Sequence, residues 1–149
     1  HKHAKFEIST RAPLLISTPE SRARGDGTRQ LVEFLDLYPT LCELADLEQP
    51  PHLEGKSFAR LFEDPTAAHR TVAGSEMRRG KYLGQSVRSN QFRYTQWQDR
   101  TRKVVAAELY DHRSDDSDGM LEKVNLIDQP QFGTVVERHR SMLKEVFGP

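Results

Sequence analysis

Arg29-Gln30-Leu31-Val32-Glu33-Phe34-Leu35-Asp36-Leu37-Tyr38-Pro39-Thr40-Leu41-Cys42-Glu43-Leu44-Ala45 is the stretch whose reading decides the fold. Pro39 marks a joint in it. Deep inside a helix a proline loses a hydrogen bond and clashes with the preceding turn, whereas in the first turn it costs little. The helix is therefore expected to start near Asp36, whose carboxylate can cap it by accepting backbone N–H groups. Leu37, Leu41, Leu44 and Ala45 then share one face. Residues 31–35 read as a buried strand leading in, so that strand, Asp and helix make an α/β building block.

Upstream, residues 14–17 (Leu-Leu-Ile-Ser) form a short apolar run after Pro13, the pattern of a strand buried on both faces of a parallel sheet. Residues 19–27 combine turn formers and charges without apolar periodicity and read as a loop. Downstream, Pro50-Pro51 breaks the chain into an extended turn, and Ser57 can cap a short helix over residues 58–62.

From residue 71 the rhythm changes to short alternating runs: 71–77, 82–88, 92–97 and 104–110. Turn candidates stand at residues 78–81 and at Ser89-Asn90, which predicts an antiparallel sheet. A final amphipathic helix is expected over residues 132–147, with Val135, Val136, His139, Met142, Leu143, Val146 and Phe147 on one side and Gly148 as its stop. His139 reads as a helix–sheet packing residue and not a ligand.

The chain has 149 residues with 22 Lys and Arg against 22 Asp and Glu, giving a formal net charge of zero. That balance argues against a dedicated nucleic-acid binder. Arg88, Phe92, Arg93, Tyr94, Trp97, Arg100 and Arg102 interleave bases and aromatics, a composition able to bind single strands. The same residues also make an ordinary sheet with aromatics inward and arginines on the wet face, and the neutral charge favours that reading. No apolar run approaches the roughly 18 residues of a membrane span. The lone cysteine, Cys42, excludes an intrachain disulfide framework and falls on an apolar helix face as a core residue. His1 and His3 alternate as a metal clip would, but two histidines without an acidic neighbour leave such a site incomplete. Residues 111–119 fail the calcium-loop count, since Ser114 and Asn125 would occupy the first and last ligand positions.

The block from Val32 to Ala45, followed by His52-Leu53-Glu54-Gly55-Lys56-Ser57-Phe58, resembles the C-terminal half of a sulfatase, nearest to the iduronate-2-sulfatase-like branch. Residues 1–16 resemble the family's lysine-containing turn followed by Asn-Phe-Glu and Thr-Arg-Val-Pro-Leu-Ile, with Lys5 departing from the usual Asn. Residues 84–97 and Glu108-Leu109-Tyr110-Asp111 match segments of the family's small sheet. The resemblance implies an α/β fold: the last strand or strands and a helix of the large mixed-sheet domain, in residues 1–66, and a small antiparallel-sheet subdomain packed by a C-terminal helix, in residues 67–149.

It also implies hydrolysis of sulfate esters, on a sulfated sugar or a glycosaminoglycan-like polysaccharide. Lys2 falls where the family places a lysine on the substrate sulfate, and His3 is a second candidate substrate contact. The family's calcium (Ca2+) ligands and its formylglycine nucleophile, made in a Cys-x-Pro-Ser-Arg-type motif, would lie upstream of residue 1. No metal ligand is assigned within this chain. The chain is thus expected to be a fragment, inactive alone, whose partners are the missing N-terminal half of the same protein and a sulfated carbohydrate. A secreted, periplasmic or lysosomal site is implied as well. The competing readings are a phosphodiesterase or phosphonate hydrolase of the same alkaline phosphatase-like superfamily, and a non-catalytic polyanion- or carbohydrate-binding module.

Overall fold

The computed structural model describes residues 4–19, 25–113 and 121–148. In chain order its helices and strands are α1 (Glu7–Thr10), α2 (Leu37–Leu44), β1 (Val72–Arg79), β2 (Tyr82–Ser89), β3 (Phe92–Gln98), β4 (Val104–Asp111) and α3 (Gly133–Phe147). They fall into two compact units. One is Leu14–Thr71; the other joins the described residues up to Pro13 with those from Val72 onward. Residues 4–13, expected with the large-domain portion, thus cluster with the sheet.

The sheet is an antiparallel meander in the order β1-β2-β3-β4. Two-residue connections, Gly80-Lys81 and Asn90-Gln91, fix the first two hairpins in register. Val87 pairs with Tyr94, and Tyr94 with Leu109, so these three side chains line one face and are fully buried. Helix α3 covers that face with Val136, His139 and Leu143. Val146, expected in the stripe, is exposed. Burial pushes the His139 ring below its ordinary pKa. The neutral ring donates from Nδ1 to the Val135 carbonyl at 2.8 Å and meets Ser89 Oγ through Nε2 at 3.0 Å. Its edge rests on Phe92, with centroids 5.9 Å apart. His139 is a packing residue, as its place on the apolar stripe implied.

The unit Leu14–Thr71 is organised around a carboxylate. Asp36 is 0% exposed. It accepts from the Glu33 N–H at 2.9 Å, the Lys56 N–H at 2.8 Å, Arg70 Nε at 2.7 Å and Arg70 Nη2, with His69 Nε2 at 3.2 Å. Burial alone would raise its pKa; the Arg70 guanidinium and the two backbone N–H groups outweigh that and hold it down to about 2. Asp36 does precede α2, but its side chain makes no capping bond to that helix. It ties three separate segments together instead. Gly55 is needed for this, because a Cβ there would lie 1.9 Å from the Leu35 carbonyl oxygen.

Three expectations are corrected in this unit. Residues 14–17 form no strand, and Leu15 is 91% exposed. Of residues 31–35 only Leu31 makes a bridge, to Arg70, while Phe34 and Leu35 are exposed at a 3-10 turn. A two-sided buried strand needs neighbours on both edges, and the described residues of this unit supply none. On α2 the buried positions are Pro39, Thr40 and Cys42, whereas Leu41 is 56% exposed. Thr40 sets that rotation: its hydroxyl donates to the Asp36 carbonyl at 2.5 Å and accepts from the Phe58 N–H at 3.0 Å. Phe58, Leu61 and Ala67 then form a small core with Ile16, Val32, Leu37 and Phe62.

Replacing Asp36 by Asn is expected to cost about 3 kcal/mol, because one partner of a buried ion pair is removed and the Arg70 charge stays behind. Since the folded-state pKa is depressed, the stabilisation is complete above the ordinary value of 3.8 and is lost as pH falls through about 2. Denaturant unfolding at pH 7, 4 and 2 checks both points: Asp36→Asn should lower the midpoint at pH 7 and flatten the fall between pH 4 and 2.

Candidate functional site

Alternation along β2, β3 and β4 sends Ser86 and Arg88, Arg93 and Thr95, and Glu108 and Tyr110 to the face opposite α3. That face is covered by α1, whose Glu7 is buried. Arg93, expected on a wet face, is only 3% exposed. Its Nη2 donates to Glu7 and, at 2.9 Å, to Thr10 Oγ1, and its Nε donates to Glu122 Oε1 at 2.8 Å. Arg88 Nε donates to Glu7 at 3.2 Å. Glu122 also accepts the Glu7 backbone N–H at 2.7 Å and lies 2.7 Å from His112 Nε2. Burial pushes the Glu7 carboxyl up, but the Arg93 and Arg88 guanidinia prevail and hold it below the usual carboxylate range. Glu122 sits at φ 44°, a conformation L-residues seldom adopt, so its ionic partners hold a strained backbone in place.

Glu7, His112 and Glu122 bring ligand atoms within 4.8 Å of one another. Two guanidinium groups already balance the two carboxylates, whereas calcium needs six to eight oxygens free to face it. The trio fits an ion-pair network and not a calcium centre. Its effect is mechanical: it fixes the segment that follows residues 1–3 onto the sheet.

Beyond this network, at the end of the sheet carrying the β1–β2 hairpin, lies an open cleft of about 690 Å³. Its lining includes Lys5, Arg79, Lys81, Tyr82, Trp97 and Glu108, a size in the range of small-ligand sites. Lys5 is 6% exposed, and burial brings its ammonium down to about 8; Glu76 raises it again and Arg93 lowers it further. Glu108 is pushed above its ordinary value by burial, against a hydrogen bond from Trp97. Tyr110 is raised to about 12 by burial and by the charges of Glu108 and Glu122. Trp97 lies against Gly84, where an added Cβ would come within 2.6 Å of the indole.

Lys2 and His3, the candidate sulfate and substrate contacts, lie outside the described residues, as do His1 and positions 114–120 of the acidic loop. Ala4 and Lys5, the next residues along, line the cleft. Sequence reading did not find Lys5, Glu122 or the buried role of Arg93. A signal for Arg93 was present: Ser86, Arg88 and Thr95, beside it on the same strand face, are all polar. No helix among the described residues is long and apolar enough to cross a membrane.

Comparison with known proteins places these features in a family context. The family model described as N-sulphoglucosamine sulphohydrolase, C-terminal, matches residues 1–147. A sulfatase of Formosa agariphila is 30% identical over 142 residues, which is 95% of this chain and 25% of that protein. A Delta 4,5-hexuronate-2-O-sulfatase of Bacteroides thetaiotaomicron is 27% identical over 152 residues, 97% of this chain and 30% of that protein. The solved structure of a 2-O GAG sulfatase superposes with a TM-score of 0.59 at 29% identity, over 74% of this chain and 23% of that one. The chain therefore spans between a quarter and a third of the length of these two curated relatives.

Glu122→Gln removes the charge facing Arg93 and His112 while keeping the size of the side chain. The expected loss is about 3 kcal/mol, read as a lower denaturant midpoint. Faster hydrogen exchange at the Glu7 amide, which would lose its charged acceptor, identifies the segment released.

Proposed function

Because the chain belongs to the N-sulphoglucosamine sulphohydrolase C-terminal family of sulfatases, we propose that it is the C-terminal part of an enzyme hydrolysing sulfate esters of a sulfated sugar. The observation that carries this reading is the family match over residues 1–147. The two relatives whose names specify chemistry, a hexuronate-2-O-sulfatase and a 2-O GAG sulfatase, support a sulfated uronate or glycosaminoglycan-like substrate.

Within that reading Lys2 contacts the sulfate. A compact ammonium offsets the negative charge that grows on the ester and sulfate oxygens as the S–O bond breaks. His3, beside it, contacts the substrate. The Glu7–Arg93–Glu122 network positions both by fixing α1, which begins four residues after His3, on a rigid sheet. Calcium, when bound, would polarise the sulfate, and a formylglycine hydrate would supply the nucleophile. Neither has a fitting set of residues among those described, so both are assigned to sequence preceding residue 1. The same reading puts the enzyme in a secreted, periplasmic or lysosomal setting.

The test is sulfate release from sulfated uronate disaccharides by the protein carrying that upstream sequence. Sulfate release should be preferred over cleavage of phosphodiesters to phosphomonoesters, and Lys2→Ala should lower kcat/KM by about 10²- to 10³-fold. The 149-residue chain by itself should release none. Turnover by this chain alone, or a preference for phosphodiesters, would overturn the proposal.

A further inference from the structure

We propose that the cleft lined by Lys5, Arg79, Lys81, Tyr82, Trp97 and Glu108 is a binding site for an anionic pyranose ring, a sugar unit bearing a carboxylate or a sulfate. The choice of a sugar rests on the sulfatase reading; the choice of an anion rests on the cleft itself.

Lys5 is the first ground. Its stem is largely covered, yet its ammonium is not among the buried polar atoms left without a partner, so solvent still reaches it. Among the described residues the Lys5 ammonium makes no hydrogen bond and no ion pair. The carboxylate that attracts it, Glu76, already accepts from Gln85 Nε2 at 2.8 Å. A solvent-reached ammonium on a residue that lines the cleft is open to an anion. Arg79 and Lys81, both exposed on the same lining, add positive charge at the rim.

The second ground is the aromatic surface. Gly84 lets the Trp97 indole lie close on β2, and Tyr82 stands on the same lining, with Lys81 Nζ 5.2 Å from its ring centroid. Flat apolar rings suit the C–H face of a pyranose, whereas a bare inorganic anion has no use for them. Glu108, whose carboxylate accepts from Trp97 and Tyr110, keeps further lone pairs that can accept from sugar hydroxyls. An aromatic platform, an acceptor and unpaired cations together fit a charged sugar better than they fit a neutral sugar or a simple ion.

Trp97 is the single tryptophan of the chain, so its fluorescence reports on the cleft directly. The 149-residue chain is titrated with an O-sulfated hexuronate disaccharide, with its desulfated form, with a neutral disaccharide and with inorganic sulfate. A saturable Trp97 response is expected with the two charged sugars. Affinity should be at least tenfold weaker for the neutral sugar and for sulfate, and should fall about tenfold in Lys5→Met and in Lys81→Ala, the loss of one charge-assisted contact each. Lys81 is exposed, so its variant reads binding without disturbing the core. A preference for the sulfated over the desulfated sugar assigns the contact to sulfate, and equal affinity assigns it to the carboxylate; either supports the site. No saturable response, equal response to neutral and charged sugars, or unchanged affinity in both variants would overturn it. Sulfate release by the longer protein is measured in parallel. Release with a silent Trp97 would remove this cleft and leave the sulfatase reading standing. A Trp97 response without release would do the reverse.

Discussion

The Arg93 guanidinium between Glu7 and Glu122 is the constraint on which the sheet unit depends. Arg93 stands in the middle of a strand, Glu7 opens the N-terminal helix, and Glu122 follows the last strand. An apolar contact is made here as well, Phe6 edge-on to Tyr110 with centroids 5.7 Å apart, but the ion pairs are what tie all three segments together. Desolvating three charges is costly, and the cost is offset only because nearly every donor and acceptor in the group has a partner. The unit Leu14–Thr71 uses the same device on a smaller scale, with Asp36 holding Arg70, His69 and two backbone amides. In both units a buried carboxylate–guanidinium pair joins stretches remote in sequence. Such pairs fix geometry more than they add net stability, and geometry is what the segment next to the proposed sulfate contact requires.

The legible part of the fold was the part governed by local patterns. Strand alternation between residues 72 and 111, turn residues at Gly80 and Asn90, and the apolar stripe from Val135 to Phe147 each follow from neighbours within a few positions, and the sheet with its covering helix followed from them. Short apolar runs were misread because their burial depends on partners far away. Residues 14–17 and 31–35 look like strands of a parallel sheet, yet a parallel strand exists only where others flank it. Helix α2 shows a subtler limit. Its leucines define a face by periodicity, but the Thr40 hydroxyl, bonded to Asp36 and Phe58, turns a different face inward.

For the candidate site the limit was of another kind. Residue types near Lys2 could be matched to a family motif, whereas the cleft arises from four separate stretches that only the folded sheet and the segment docked on it assemble. Lys5 was noticed as a departure from the family's usual asparagine. That its side chain would be largely buried on the lining of a cleft could not be read from the letters around it. Arg93 was assigned to solvent because arginine usually is; its neighbours Ser86 and Thr95 carried the correction.

The ionic network also has a consequence for the order in which the protein takes shape during synthesis. Glu7 and its acceptor Glu122 are 115 residues apart. At about 5–20 residues per second, a ribosome needs roughly 6 to 23 s to pass from one to the other. The strands β1 to β4 are joined by short turns and can pair as they emerge, but the segment after residues 1–3 has to wait, with Glu7 exposed and in water, until the last of its partners has been made. The segment nearest the proposed chemistry is translated before every strand that holds it and is locked only after the last of them.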